Sequence, residues 1–284
     1  MGRLHTKRVW PLCVFIKING GTCMITAASN SRIKRLVQLN QKSKLRRTED
    51  VFLAEGVKMF LEAPREQLQE VYVSESFLEK CSCREHLEEV GYEVVSDSVF
   101  SKISDTCTPQ GVLCVLKQFH YNIEEMLRDK APLFLLLENI QDPGNLGTML
   151  RTGEGAGVSG IIMSRDTVDL YNPKVIRSTM GSIYRVPFYY ADDFAAAVHQ
   201  VQRAGVSVYA AHLRGKNSYA CQDYTKGTAF LIGNEGNGLR EETAELADCY
   251  IRIPMEGKVE SLNAAVASSI LMYEAHRQRA TIEK

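Results

Sequence analysis

The 284-residue chain carries no surplus of charge: 34 lysines and arginines balance 34 aspartates and glutamates, so total charge points to no polyanionic partner. It holds no run of about 18 apolar residues, which excludes a helix spanning a bilayer. Its eight cysteines include no CxxC pair and no Cys/His cluster at zinc-ligand spacing, so no metal site is expected. Scattered thiols of this kind suit a reducing compartment, and a cytoplasmic location is expected. No glycine-rich loop ends in Gly-Lys-Ser/Thr, which excludes a Walker-type phosphate loop. No internal repeat is present, which argues against a solenoid.

What is present is an ordinary globular composition, 45 % hydrophobic and 24 % charged, in a length that suits two domains. The charges are unevenly placed. Within residues 29–48, Arg32, Lys34, Arg35, Lys42, Lys44, Arg46 and Arg47 stand with no acid among them, whereas residues 49–100 are acidic. Such a stripe suits a phosphate backbone, or else a solvated helix face. Residues 1–23 show no helix or strand period. Lys7 and Arg8 precede a short apolar stretch, but Lys17 interrupts it and no small-residue cleavage site follows. The segment reads as a disordered, dispensable extension ahead of Met24.

From Asn30 the pattern becomes regular. Ile33, Leu36, Val37 and Asn40 fall at helical spacing behind a Ser29 or Asn30 cap. Strand-like runs at 51–54, 71–74, 93–96 and 111–116 alternate with helical stretches at 56–62, 76–89 and 99–103. They predict a small α/β domain over 24–118, followed by a polar linker, 119–131, carrying a short helix. A second α/β series fills 132–284. Its strands are expected at 133–137, 160–163, 186–189, 206–210, 229–233 and 250–253. Its helices are expected at 144–156, 173–180, 192–204, 240–247 and 261–279. That alternation predicts a mainly parallel sheet covered on both faces.

Gly155-Ala-Gly157-Val-Ser-Gly160 is a literal GxGxxG, but it ends a helix and opens a strand, the reverse of a dinucleotide loop. Three polar loops are better placed, because each follows a strand and ligands of open α/β sheets lie outside the carboxyl ends of strands. The first is Asp142-Pro-Gly-Asn145-Leu-Gly-Thr-Met-Leu-Arg151-Thr; Asn145 and Arg151 do not share one helical face. The second is Ile232-Gly233-Asn234-Glu235-Gly-Asn-Gly238-Leu, whose central carboxylate would repel a polyphosphate. The third is Ile253-Pro-Met255-Glu-Gly-Lys-Val-Glu-Ser261-Leu262-Asn263, where Ser261 is also a natural helix cap and Asn263 an ordinary first-turn residue.

Together, in this order and spacing, the three loops resemble the signature motifs of the SPOUT methyltransferases, in the SpoU/TrmH branch. The resemblance covers about 132–279, and residues 29–118 are similar to the L30e-like substrate-binding domain found in part of that family. It implies a deep trefoil knot, which general topology rules make very rare, and a homodimer with active sites at the subunit interface. It implies S-adenosylmethionine as cofactor, held by Gly233, Ile253 and Leu262 with Asn234, Gly238 and Met255 beside them, and a third wall from the 211–213 turn. It places Asn145, Arg151, Glu235, Ser261 and Asn263 at catalytic and substrate-orienting positions. The implied reaction is methylation of a ribose 2′-hydroxyl in structured RNA, with 23S rRNA favoured over tRNA. A base-nitrogen methyltransferase and a non-enzymatic RNA-binding factor are the alternatives. The family's proposed role for the residue matching Arg151 is general base. A guanidinium stays protonated at ordinary pH, so phosphate binding and alkoxide stabilisation form the physical alternative. The six histidines lie outside the three motifs.

Overall fold

The computed structural model describes residues 24–282; the expected extension, 1–23, lies outside them. The first unit contains α1 (Ser31–Gln41), α2 (Ser43–Glu49), β1 (Val51–Glu55), α3 (Val57–Leu61) and β2 (Leu68–Ser74). It continues through α4 (Glu75–Lys80), α5 (Arg84–Val90), β3 (Glu93–Val95), α6 (Asp97–Ile103) and β4 (Val112–Lys117). Its four strands run in the order β1-β4-β2-β3. Asn30 caps α1 by accepting the Arg32 N–H, and Ile33, Leu36 and Leu39 turn one face of that helix into a core shared with Val99, Phe100 and Ile103. Two expectations change here. The single helix expected over 76–89 is two, broken at residues 81–83, and α2 had no forecast, because its start carries no side-chain cap.

The second unit follows a short helix, α7 (Ile123–Met126). It contains β5 (Leu133–Leu137), α8 (Pro143–Ala156), β6 (Gly160–Ser164), α9 (Pro173–Thr179), β7 (Phe188–Ala191) and α10 (Phe194–Arg203). Then come β8 (Ser207–Ala211), β9 (Asn217–Ser218), β10 (Thr228–Ile232), α11 (Glu241–Ala244), β11 (Cys249–Arg252) and α12 (Ala264–Ile282). The sheet order is β7-β6-β5-β10-β8-β11-β9, and every pairing is parallel. The central strands β5 and β10 are buried at every residue, as two covered faces require. Leu135 and Leu137 pack on the side of α8, α9 and α12; Phe134 and Leu136 pack on the side of α10 and α11. Gly147 lets α8 and α9 touch, since a Cβ there would stand 2.3 Å from the Ser178 Cβ. The last helix begins at Ala264, three residues later than expected. Its Arg279 guanidinium donates to the carbonyls of Ala131, Pro132, Tyr224 and Lys226, tying the chain's end to segments ahead of β5 and β10.

The units meet across an aromatic seam that includes the stretch expected to be a polar linker. Phe52 lies 4.8 Å from Tyr171, and Tyr121 meets the ring of Phe188 edge-on at 5.4 Å. The Tyr171 hydroxyl accepts the Phe119 N–H at 2.6 Å, and the Tyr184 hydroxyl donates to the Met59 carbonyl. Arg46, expected from the sequence to lie on RNA, is instead 3 % exposed. Its guanidinium donates to the Leu39 and Asn40 carbonyls and pairs at 2.6 Å with Asp169 of the second unit. Helix α2 is amphipathic at this point, and the stem of Arg46 is the part of its inner face that carries a charge inward to a partner.

Removing one partner of a buried ion pair strands the other and costs several kcal/mol. Arg46→Ala is therefore expected to lower unfolding free energy by about 3 kcal/mol, read from urea denaturation. A loss no larger than that of Arg47→Ala, an exposed neighbour, would contradict the assignment.

Candidate active site

Three loops leave the carboxyl ends of β5, β10 and β11, and each is shaped by its own sequence. After β5, Glu138 is buried and Asn139 adopts a left-handed backbone (φ 53°). Asp142 then caps α8 by accepting the Asn145 N–H at 2.8 Å, and Pro143 suits the first helical position. After β10, Gly233 is buried where a Cβ would stand 2.2 Å from the Gly238 carbonyl carbon and the Leu239 nitrogen. Only glycine fits, because the loop doubles back at once: Asn234 and Gly238 exchange backbone hydrogen bonds of 3.0 and 2.9 Å. The Asn234 side chain fixes that turn by accepting the N–H groups of Gly236 and Asn237 and donating to the Asn139 carbonyl. Asn234 and Gly238, assigned to cofactor from the sequence, thus shape the loop with their polar groups.

Glu235 binds the first two loops together. One carboxylate oxygen accepts the Asp142 N–H and the Asn145 side-chain amide, both at 3.0 Å; the other accepts the Gln141 N–H at 3.1 Å. The Asn145 side-chain oxygen, Oδ1, in turn accepts from the Asn263 side-chain amide at 2.9 Å. Asn263 is itself the cap of α12, accepting the N–H groups of Ala265 and Val266. The cap is therefore Asn263 and not Ser261. Partial burial acts to raise the Glu235 carboxyl, but the Asn145, Gln141 and Asp142 donors outweigh it and hold the group below the usual carboxylate range. A carboxylate with both oxygens occupied by N–H donors is a weak base and a strong positioning group.

Arg151 and Ser261 do not join this cluster. Both are exposed, and neither side chain makes a hydrogen bond or ion pair among the described residues. Arg151 stands about 120° around α8 from Asn145 at 3.6 residues per turn. It shares an outward stripe with Thr148 and Gly155. Tyr273 of α12 adjoins that stripe, its hydroxyl 3.0 Å from where a Gly155 Cβ would be.

Residues 253–262 make no hydrogen bond, backbone or side chain, to the rest of the protein among the described residues. Ile253, Met255 and Leu262 are half-buried there. A loop whose amides and carbonyls remain uncommitted, beside a glycine loop that bars side chains, fits a ligand read through backbone groups. That fits the adenosine part of S-adenosylmethionine. The 211–213 turn lies beside it: the His212 N–H bonds the Ile251 carbonyl, and its ring packs on Tyr250. Burial, with Arg214 nearby, holds the His212 pKa below its ordinary value.

Sequence reasoning missed the groups that hold these loops in place. Glu138 accepts the Arg240 N–H at 2.9 Å and the Thr243 hydroxyl at 2.5 Å, closing the far end of the 233–240 loop. Arg240 also pairs with Asp166 at the end of β6. The available signal was a carboxylate placed directly after five apolar strand residues, where burial without a partner is costly. In the basic stripe, Arg32 pairs with Glu93, and Arg35 with both Glu49 and Glu70. Their charges are taken up inside the first unit. Lys34, Lys42, Lys44 and Arg47 are exposed and make no ion pair among the described residues.

Residues 132–273 match the SpoU rRNA Methylase family, and residues 30–114 match the MRM3-like substrate binding domain. The chain is 32 % identical over 252 residues to the 23S rRNA (guanosine(2553)-2′-O)-methyltransferase RlmP of Bacillus subtilis, covering 88 % of this chain and 97 % of that one. It is similar to the AdoMet-bound rRNA methyltransferase of Sinorhizobium meliloti, with a TM-score of 0.77, 31 % identity, and coverage of 90 % and 97 % of the two chains. It is also similar to the SpoU methyltransferase AviRb of Streptomyces viridochromogenes in complex with AdoMet, at a TM-score of 0.81, 26 % identity, and coverage of 89 % and 99 %.

A carboxyl depressed in the folded state adds stability that is fully present above its unfolded pKa and is lost as pH falls through the folded one. The Glu235 loop is therefore expected to stay docked on residues 141–145 at neutral pH and to release only below the ordinary carboxylate range. Protection factors of the Gln141 and Asp142 amides, followed by hydrogen exchange against pH, test this. Glu235→Gln turns a donor toward one of these amides and should lose protection at every pH. Equal protection in both proteins would refute the docking role.

Proposed function

Because the chain belongs to the SpoU rRNA Methylase family, we infer that it is an S-adenosylmethionine-dependent enzyme that methylates a ribose 2′-hydroxyl of structured RNA, with 23S rRNA as substrate. The observation that carries this reading is the hydrogen-bonded line Glu235–Asn145–Asn263, which draws three strand-end loops to one point. The relatives RlmP and the Sinorhizobium meliloti enzyme support the rRNA assignment by their names.

When bound, S-adenosylmethionine supplies a methyl group on an electrophilic sulfonium, and transfer needs the acceptor oxygen in line with it. Gly233, Ile253 and Leu262 would hold the cofactor through backbone groups, with Met255 beside them. Asn145 and Asn263, locked by Glu235, orient the acceptor ribose. The Arg151 guanidinium binds an RNA phosphate and stabilises negative charge developing on the 2′-oxygen as the hydroxyl proton leaves to water. Ser261, free of protein partners, serves the acceptor strand.

Arg151 faces away from the cluster of its own chain. We therefore place two copies together across the outward faces of α8 and α12, so that each cluster receives the partner subunit's Arg151. Val266 and Tyr273, 48 % and 49 % exposed and seven residues apart on α12, supply the apolar part of that face. The family also implies the trefoil knot, for which the path through 233–263 is the segment that would thread. Lys34, Lys42, Lys44 and Arg47 contact RNA phosphates and position the substrate without reading bases. No helix among the described residues is long and apolar enough to cross a membrane, and we place the protein in the cytoplasm, where its RNA substrate resides.

Purified protein with methyl-labelled cofactor should label unmodified 23S rRNA and leave 16S rRNA and tRNA unlabelled, and nuclease P1 digestion with mass spectrometry should find the label on ribose. Label on tRNA alone would sink the rRNA assignment, label on a base the ribose assignment, and no label the enzyme. Arg151→Ala should lower kcat by about 10²–10³-fold with an unchanged melting midpoint. Co-refolded with Asn145→Ala it should regain activity, since one site in each mixed dimer is complete. No regain would show that Arg151 acts within its own chain.

A further inference from the structure

A cleft of about 450 Å³ opens beside the strand ends, between the β8–β9 connection and the end of β11. Leu213, Arg214, Lys216, Ser218, Arg252 and Pro254 line it, with no carboxylate among the lining residues. It lies on the other face of the sheet from the Asn263 cluster. Ile251 and Ile253 pack into the core on the α12 side, so strand alternation turns Tyr250 and Arg252 to the opposite face, where Tyr250 joins the cluster under α11. Register confirms the placement, since Arg252 pairs with Ser218 of β9.

The three cations are not equivalent. Arg214 is committed, its guanidinium bonding both carboxylate oxygens of Glu241. Lys216 and Arg252 make no hydrogen bond or ion pair with their side chains among the described residues. Two uncommitted cations over one cleft create a positive site that holds no counter-charge of its own. Beside them Leu213 is 63 % exposed, an apolar surface with no protein cover. Two uncommitted cations with no carboxylate among the lining residues match the phosphates of a nucleic-acid backbone, while Leu213 belongs to the turn beside the cofactor loop. Two of its lining residues, Arg252 and Pro254, flank Ile253, so the cleft adjoins the backbone loop that begins there.

We propose that this cleft holds the backbone of the substrate RNA flanking the acceptor, with phosphates on Lys216 and Arg252. The inference rests on the RNA methyltransferase reading for its choice of ligand, and adds to it a subsite on the catalytic unit. The strand then contacts the protein at two separated places, the exposed cations of α1 and α2 and this cleft.

The test uses the full-length protein and unmodified 23S rRNA transcribed in vitro as probe. Each phosphate contact removed should reduce the salt dependence of binding by about one, so Lys216→Ala with Arg252→Ala should flatten the log–log slope by about 2. The same variant should raise the KM for RNA with kcat unchanged, and calorimetry should find its S-adenosylmethionine affinity intact. Lys216→Arg with Arg252→Lys keeps both charges and should keep the slope, which separates a charge effect from misfolding. An unchanged slope in the alanine variant overturns the proposal. So does weakened cofactor binding with RNA affinity intact, which would assign the cleft to the cofactor. If wild-type protein methylates 23S rRNA at ribose and the slope does not move, the subsite alone fails. If no methyl transfer occurs yet the slope flattens, the subsite stands and the enzymatic reading fails. If wild-type protein does not bind the RNA, both fall.

Discussion

The carboxylate of Glu235 is the constraint on which the site depends. It is a single side chain at the end of one strand, yet it accepts donors from the loop after another, and through Asn145 it reaches the cap of the last helix. Without that charge, the backbone N–H groups of Gln141 and Asp142, just ahead of α8, would lose their acceptor. Loops that leave neighbouring parallel strands are ordinarily free to diverge. Here they converge because an anion on one loop satisfies three donors on the other, and the donors in turn keep the anion charged. Three N–H donors on its two oxygens make Glu235 a weak base, which fits a positioning group better than one that removes a proton.

Around this point, the second unit solves two problems at different depths. Beneath the surface, Glu138 and Asp166 hold Arg240 and Thr243, so the glycine loop is fixed at its far end as well as at its centre. At the surface, residues 253–262 devote no hydrogen bond to the protein among the described residues. The site therefore combines a rigid floor with an uncommitted rim, and a ligand that satisfies the rim's backbone groups orders it without displacing existing interactions.

Much of this was legible in the sequence, and the exceptions have physical causes. The all-apolar run 133–137 reads as a buried strand, and a helix is expected from residue 144, behind the Asp142-Pro-Gly turn. Loop convergence at strand ends followed from the alternation of elements. Three things could not be read. Arg46 looked like its exposed neighbour Arg47, and only the position of Asp169, distant in sequence, turns it inward. Asn263 and Ser261 are both good caps, and the choice depends on where α12 meets Asn145. The orientation of Arg151 relative to Asn145 was evident from helical spacing, but its consequence, a cation presented outward beside Tyr273, required the packing of α8 on α12.

The aromatic seam gives the molecule a fixed internal length. Phe52, Phe119, Tyr121, Tyr171 and Phe188 interlock across the junction, with Arg46 and Asp169 bolted at its side. A hinge at residues 119–131 would let the basic face of α1 and α2 wander relative to the Glu235 cluster. A seam of packed rings makes that separation a constant. A strand held at one end then presents a particular nucleotide at the other because of how far away it lies, whatever base it carries. On the proposed RNA reading the first unit would work as a ruler, with the choice of target a measurement of distance.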